Sequence, residues 1–254
     1  MNITIAGNGF VGKAHQQVLK YNGHGINMID PLLGPKRVYD YSDTQAVIVC
    51  VSTPSAEDGS CDVENVADVI RDTDPSIPIL VKSTISLEGW RGLMLAFPEH
   101  HITFSPEFLR AETAVEDFRN ISHLYLSNND DFNFWHNLFG EVFTGLKTSI
   151  HDPEALILGK YFRNAFLATK VSFFNQIYDL CERTGVEYKD VASIVGSDER
   201  IGDSHTHVTP DRGYGGHCFP KDTSAIVHTA DRFDVALELI ESSIAYNKRI
   251  RKQV

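Results

Sequence analysis

An α/β fold is predicted: a parallel sheet with covering helices over residues 1–150, then an all-helical domain with a long central helix over 151–254. Three observations predict it. Short apolar runs alternate with helical stretches as far as residue 150. No convincing strand signal follows. One helical run then extends from about Glu154 to Arg183. Strands alternating with helices make a parallel sheet covered on both faces.

The elements follow in order. NITIA at 2–6 reads as a short buried strand running into GNGFVG, and a helix starts near Gly12 and fades at YNGHG. INMID is a second strand, ending on Asp30. Further strands are expected at 46–51, 78–82, 101–104, 122–127 and about 146–150, with helices at 63–73, 86–96 and 131–144. The long run stops at Gly185, and shorter helices follow around 187–195, 223–231 and 235–252. AYNKRIRKQV reads as an exposed basic helix end.

Composition narrows the function classes. Hydrophobic content of 42% and charged content of 22% over 254 residues fit a soluble globular chain. A formal net charge of −11 argues against nucleic-acid binding. AVIVCV is a core strand, no apolar run reaches the length of a membrane span, and MNITIAGNGF carries no signal-peptide pattern. Cys50, Cys61, Cys181 and Cys218 include no CxxC pair, so neither a disulfide framework nor a zinc site is expected. A reducing, cytoplasmic setting is the expectation. Cys50, Cys61 and Cys181 read as structural.

Gly7, Gly9 and Gly12, with Phe10 and Val11 between them, form G-x-G-x-x-G between a strand and a helix. The first glycine permits the tight turn, the second admits a pyrophosphate, and the third lets helix and strand pack closely. Amides of the helix N-terminus face the phosphates. Asp30, 18 residues after Gly12, stands where an acid holds ribose hydroxyls and repels the extra phosphate of NADP. The expected cofactor is NAD, in a Rossmann-type domain.

RGYGGHCFPKD at 212–222 surrounds a thiol with glycines, a proline and a Lys-Asp pair. It reads either as a nucleophile's turn or as a loop with a buried cysteine. Lys160 and Asn164 stand four apart on the long helix and so share a face. Glu107, in SPEFLRAE, follows a strand, and Thr84, in KSTI, ends one, where open parallel sheets bind ligands.

IAGNGFVG, VCVSTP, KSTI, SPEFLRAE, GKYFRNAF, DERIG and GYGGHCFPKD, in that order, resemble the UDP-glucose/GDP-mannose dehydrogenase family over nearly the whole chain. The resemblance implies a four-electron oxidation of a nucleotide sugar's primary alcohol to a carboxylate, with two NAD reduced at one site. An aldehyde has no convenient hydride to give until a nucleophile adds to it. Cys218 would add, forming a thiohemiacetal and then a thioester that water hydrolyses. Lys160 would stabilise the developing oxyanion and Asn164 would donate a hydrogen bond to it. Asp222 would order a water, and Glu107 would be the general base of hydrolysis, helped by Thr84. Thr53, Thr84 and Lys221 resemble cofactor contacts. Glu107, Lys160, Asn164, His207 and Gly215 would line the sugar nucleotide, which Arg200 would reach across a subunit interface. The chemistry calls for no metal, and His217 beside the thiol reads as solvent-facing.

Three departures from the family pattern stand out. A second glutamate usual four residues after the Glu107 position is Ala111 here. Glu112 is adjacent, but one helical residue turns a side chain by about 100°. The segment from Asp30 to Ala46 is short for its expected helix, and no second nucleotide-binding domain follows within the 254 residues. Two other readings remain open: a two-electron hydroxy-acid dehydrogenase, and a non-catalytic NAD-binding relative. Leu156, Phe162, Phe166, Val171 and Phe174 make the long helix too apolar to stand uncovered, so a homodimer through the helical domain is expected.

Overall fold

The computed structural model describes residues 1–54, 61–129, 131–216 and 218–251. The described residues up to Lys160 form one compact unit and those from Tyr161 a second. The α/β class expected from the sequence is the class observed: a parallel sheet first, then helices.

The first unit opens with β1 (Asn2–Ala6), α1 (Phe10–Tyr21), β2 (Gly25–Ile29) and β3 (Ala46–Val49). Next come α2 (Glu64–Arg71), β4 (Ile79–Val81), α3 (Leu87–Ala96) and β5 (Ile102–Phe104). These strands form one sheet in the order β2-β1-β3-β4-β5, all pairs parallel. The order reverses between β1 and β3, so the carboxyl ends of those two strands flank the crevice in which such sheets bind ligands. Ile3, Ile5, Ile48 and Leu80 from the sheet pack with Val18 and Leu19 of α1 in the main core. Being buried on both faces, these strands read as continuous apolar runs, which made them easy to find.

After α4 (Ala114–Arg119), two more parallel strands, β6 (His123–Ser127) and β7 (Lys147–His151), flank α5 (Phe132–Val142). They form a separate two-stranded sheet. Side chains bridge the gap to β5: Phe104 N donates to Ser127 Oγ at 2.9 Å and Asn129 Nδ2 donates to Ile102 O at 2.8 Å. Phe118, Trp135 and Phe139 complete the core on that side. Between β2 and β3 stand two short 3₁₀ turns, Pro31–Leu33 and Val38–Asp40, in place of a helix.

The long helix, α6, spans Pro153–Thr184, about 48 Å at 1.5 Å per residue. Asp152 Oδ1 accepts from the Glu154 and Ala155 amides and caps its start. Pro153 takes the first position, where its missing N–H costs nothing. Gly185, at φ +74°, ends it. Of the five apolar positions singled out on this helix, Leu156, Val171 and Phe174 are buried within the chain itself, a correction to the expected stripe. Phe162, Phe166, Phe173 and Leu180 are exposed, and spacings of four, seven and seven put them on one face.

In the second unit, α7 (Tyr188–Gly196), α8 (Cys218–Asp231) and α9 (Glu238–Ile250) follow. α8 begins five residues before the expected 223. Pro220 falls in the first turn of that helix, where a proline is tolerated because first-turn N–H groups have no helical acceptor. No described helix is long and apolar enough to cross a membrane.

Candidate active site

The glycine turn has the geometry its spacing predicts. Gly7 sits at φ +101°, and its amide donates to Ile29 O at 2.9 Å. A Cβ on Gly7 would strike the Cys50 carbonyl, and one on Gly12 would overlap the Gly7 carbonyl. A Cβ on Gly9 would meet nothing within 4 Å, leaving an open face for a ligand. α1 starts with Phe10 and Val11, carries no acid in its first turn and has no side-chain cap at Gly9. Its leading amides are therefore available to an anion. Asp30 Oδ2 accepts from the Asn8 amide at 2.7 Å and Oδ1 from the Leu32 amide at 2.9 Å. One carboxylate thus ties the end of β2 to the glycine turn. Thr53 lies buried beyond the end of β3. These residues fit a dinucleotide.

At the end of β4, Thr84 accepts a 2.7 Å hydrogen bond from the buried ammonium of Lys160. The Cys61 thiol donates to the Thr84 carbonyl at 3.3 Å, a neighbour the sequence reading left unassigned. Glu107 follows β5 and is held in a cluster that reading also missed. Lys82 Nζ stands 3.1 Å from Glu107 Oε2, and donates to Ser105 Oγ at 3.0 Å and Pro106 O at 3.4 Å. His15 Nε2 lies 4.0 Å from the same carboxylate oxygen. The Phe108 amide donates to Glu107 Oε1 at 2.8 Å.

Burial pushes the Glu107 carboxyl up, but the Lys82 ammonium, His15 and the Phe108 amide outweigh it and hold it below its ordinary value. Burial lowers the His15 imidazole to about 4 and raises the Cys50 thiol. Cys50 is half-buried against the core. Ala111 and Glu112 form an exposed 3₁₀ turn, whereas the Glu107 side chain is only 9% exposed.

In the second unit, Cys218 is exposed at the start of α8. The exposure removes the reading of a buried cysteine. One turn on, Asp222 is buried and accepts from Asn164 Nδ2 at 2.6 Å. Lys221 Nζ stands 3.7 Å from its other oxygen. The preceding loop has Arg212, Gly213 and Gly216 at positive φ and is held from outside. Asn175 Oδ1 accepts from the Gly213 amide at 3.1 Å. Asn247 Oδ1 accepts from the Tyr214 amide at 2.7 Å, while its Nδ2 donates to the Tyr214 carbonyl at 3.0 Å. Arg251 lies where a Cβ on Gly215 would be. Arg200 is exposed and paired with Asp198 at 2.6 Å. His207 is exposed. His217 lies outside the described residues.

A glycine turn with helix amides open to an anion at a switch point of a parallel sheet, together with a buried Lys–Thr pair past the end of β4, defines an NAD-dependent dehydrogenase. Residues 36–133 match the model of the UDP-glucose/GDP-mannose dehydrogenase family's NAD binding domain, and residues 156–249 match that of its central domain. The chain belongs to that family, and its cofactor is NAD. It is 29% identical to a UDP-glucose 6-dehydrogenase of Rickettsia typhi, over 98% of this chain and 67% of the relative. A UDP-glucose dehydrogenase structure from Pyrobaculum islandicum superposes with a TM-score of 0.84 at 24% identity, over 98% of this chain and 68% of that one. A 3-hydroxyisobutyrate dehydrogenase structure from Mycobacterium tuberculosis has a TM-score of 0.74 at 16% identity, covering 98% and 93%. That likeness is one of fold. The chain thus spans about two thirds of the length of the family relatives it matches.

Proposed function

We propose that the chain oxidises the primary alcohol of a nucleotide sugar, UDP-glucose or a close relative, to the uronate through a covalent adduct on Cys218. Residues 1–150 serve as the NAD-binding domain and 151–254 as the helical catalytic and dimerising domain. The observation that carries the reading is the exposed thiol at the first turn of α8, with buried Asp222 one turn later bonded to Asn164. The positive end of a helix macrodipole favours negative charge on a group placed there.

NAD, when bound, accepts the hydride of each of two oxidations. The Gly7–Gly12 turn, with Phe10 and Val11, receives its pyrophosphate and Asp30 its ribose, while Thr53, Thr84 and Lys221 line the rest. Lys160 and Asn164 hold the alkoxide of the first step and the oxyanion of the later ones. Cys218 Sγ bonds to the aldehyde carbon, and the carbon stays on sulfur as a thioester after the second oxidation. Glu107 takes a proton from water that Thr84 and Asp222 help to place. The C–S bond breaks, and the thiol and the uronate leave restored and complete. Arg200 of a partner subunit, His207 and Gly215 contact the sugar nucleotide.

The test is stoichiometric: the chain with NAD and UDP-glucose should release two NADH per sugar, with an acyl adduct on Cys218 visible by mass spectrometry. Full activity in Cys218→Ala would move the chain to the two-electron hydroxy-acid class. No NADH from any of a panel of sugar nucleotides would leave a non-catalytic NAD-binding relative.

A further inference from the structure

His15 is the buried group that the chemistry above leaves idle. It lies in the second turn of α1, fully enclosed, its ring stacked on Phe118 at 4.0 Å between centroids. Its Nδ1 stands 3.0 Å from the Val11 carbonyl. A carbonyl oxygen only accepts, so Nδ1 carries the proton. In the neutral ring Nε2 is then a bare acceptor, and it faces Glu107 Oε2 at 4.0 Å. Among the described residues Nε2 has no hydrogen-bond partner, and Oε2 has only the Lys82 ammonium at 3.1 Å. That ammonium is its charge partner and leaves the side facing His15 without a donor.

Two acceptors facing each other in a buried place lack one hydrogen between them. Buried polar atoms left without partners are uncommon, and each calls for an explanation, a catalytic role among them. We propose that His15 Nε2 is the acceptor awaiting the proton that Glu107 takes up, making His15 a positioning residue that acts through Glu107. The inference rests on the reading of Glu107 as the base of thioester hydrolysis.

The step balances simply. Water loses a proton to the Glu107 carboxylate as its oxygen bonds to the thioester carbon, and the carboxyl turns to carry that proton on Oε2. The new Oε2–H donates to His15 Nε2 after the carboxyl swings about 1 Å closer. No proton moves onto the imidazole, and Glu107 later returns its proton to solvent or to the departing thiolate. Lys82 is not stranded when the carboxylate becomes neutral, because Ser105 Oγ and the Pro106 carbonyl still accept from it. Lys82 thus favours the ionised resting form, as His15 does when its ring carries a second proton, whereas the neutral ring offers the carboxylic acid an acceptor, which lets one carboxyl serve in both. Among the described residues the charged group acting on this pair is Lys82, and the Glu107 charge in turn acts on the Cys50 thiol; the His15 ring stacks on Phe118 and meets Phe139 edge-on.

Nitrogen-15 NMR of the histidines in the full chain tests the idea without turnover. Expected at neutral pH are a His15 ring protonated at Nδ1 and, in Glu107→Gln, an upfield shift of the bare Nε2 as the new amide donates to it. In single-turnover work, His15→Leu should lengthen the lifetime of the Cys218 thioester about tenfold, with the first NADH burst unchanged. His15→Gln, whose amide oxygen reaches the same place, should restore most of the rate. A ring protonated at Nε2, or an Nε2 signal unmoved in Glu107→Gln, overturns the proposal. So does a thioester lifetime that neither His15 variant changes. If the wild-type chain forms no thioester, the proposed function falls while the NMR result still decides this inference. If His15→Leu does not fold, His15→Gln and the NMR result decide it.

Discussion

Lys160 Nζ donates to Thr84 Oγ1 at 2.7 Å, joining the first turns of the long helix to the carboxyl end of β4. Both groups come from motifs that stand far apart in sequence. Their meeting puts a buried cation at the edge of the sheet where ligands bind. A preorganised donor of this kind contributes about 10²–10³ in turnover where charge develops on oxygen. Lys160→Met should therefore lower kcat for NADH release by that factor with a much smaller change in KM. Thr84→Ala should lose about 10- to 100-fold, the range for one hydrogen bond to a charged group. Steady-state kinetics with circular dichroism as a folding control would check both.

Asp30 holds two backbone amides, those of Asn8 and Leu32. Asp30→Ala frees the glycine turn and removes the proposed ribose contact together. A loss of about 1–3 kcal/mol follows from one charge-assisted bond. NAD affinity measured by calorimetry should weaken tenfold or more, while NADP binding stays level or improves.

His15 also makes the fold sensitive to acid. Burial lowers its imidazole to about 4, so it stays neutral in the fold where the unfolded chain already takes a proton near 6.5. The resulting stability is complete above about pH 6.5 and is lost as pH falls from there to about 4. The shift corresponds to roughly 3 kcal/mol. Glu107 enters only at the acid end of that window, because its lowered carboxyl confers stability that starts to be lost below the ordinary carboxyl value of 4.5. Urea titrations at pH 7 and pH 4.5 should differ by about that amount in the wild type, and far less in His15→Leu.

Phe162, Phe166, Phe173 and Leu180 leave a continuous apolar face along α6. We expect a second copy of the chain to cover it. Light scattering should give twice the mass of one chain. The double change Phe166→Glu with Phe173→Glu should give a single chain of unchanged helicity.

The sequence revealed most where local chemistry and tertiary role coincide. The G-x-G-x-x-G turn was legible because each glycine answers a backbone constraint, and the sheet because its strands are apolar throughout. Helix α8 was placed late because Pro220 reads as a breaker, although its first-turn position makes it harmless. The division of the strands into two ladders hid in Ser127 and Asn129, whose side chains stand in for a missing backbone pairing. Lys82 and His15 were missed for another reason. A lysine ending an apolar strand and a histidine inside a helix carry no pattern; only folding brings them to Glu107.

The glycine-rich stretch before Cys218 owes its shape to amide side chains on α6 and α9, Asn175 and Asn247, as much as to its own glycines. Its order is therefore partly borrowed. Fraying of the last turns of α9 would slacken the approach to the sulfur while the helix bearing that sulfur stayed intact. The Tyr214 amide would then exchange with deuterium at the pace of a distant helix end, a clock for reactivity that no residue of the stretch itself contains.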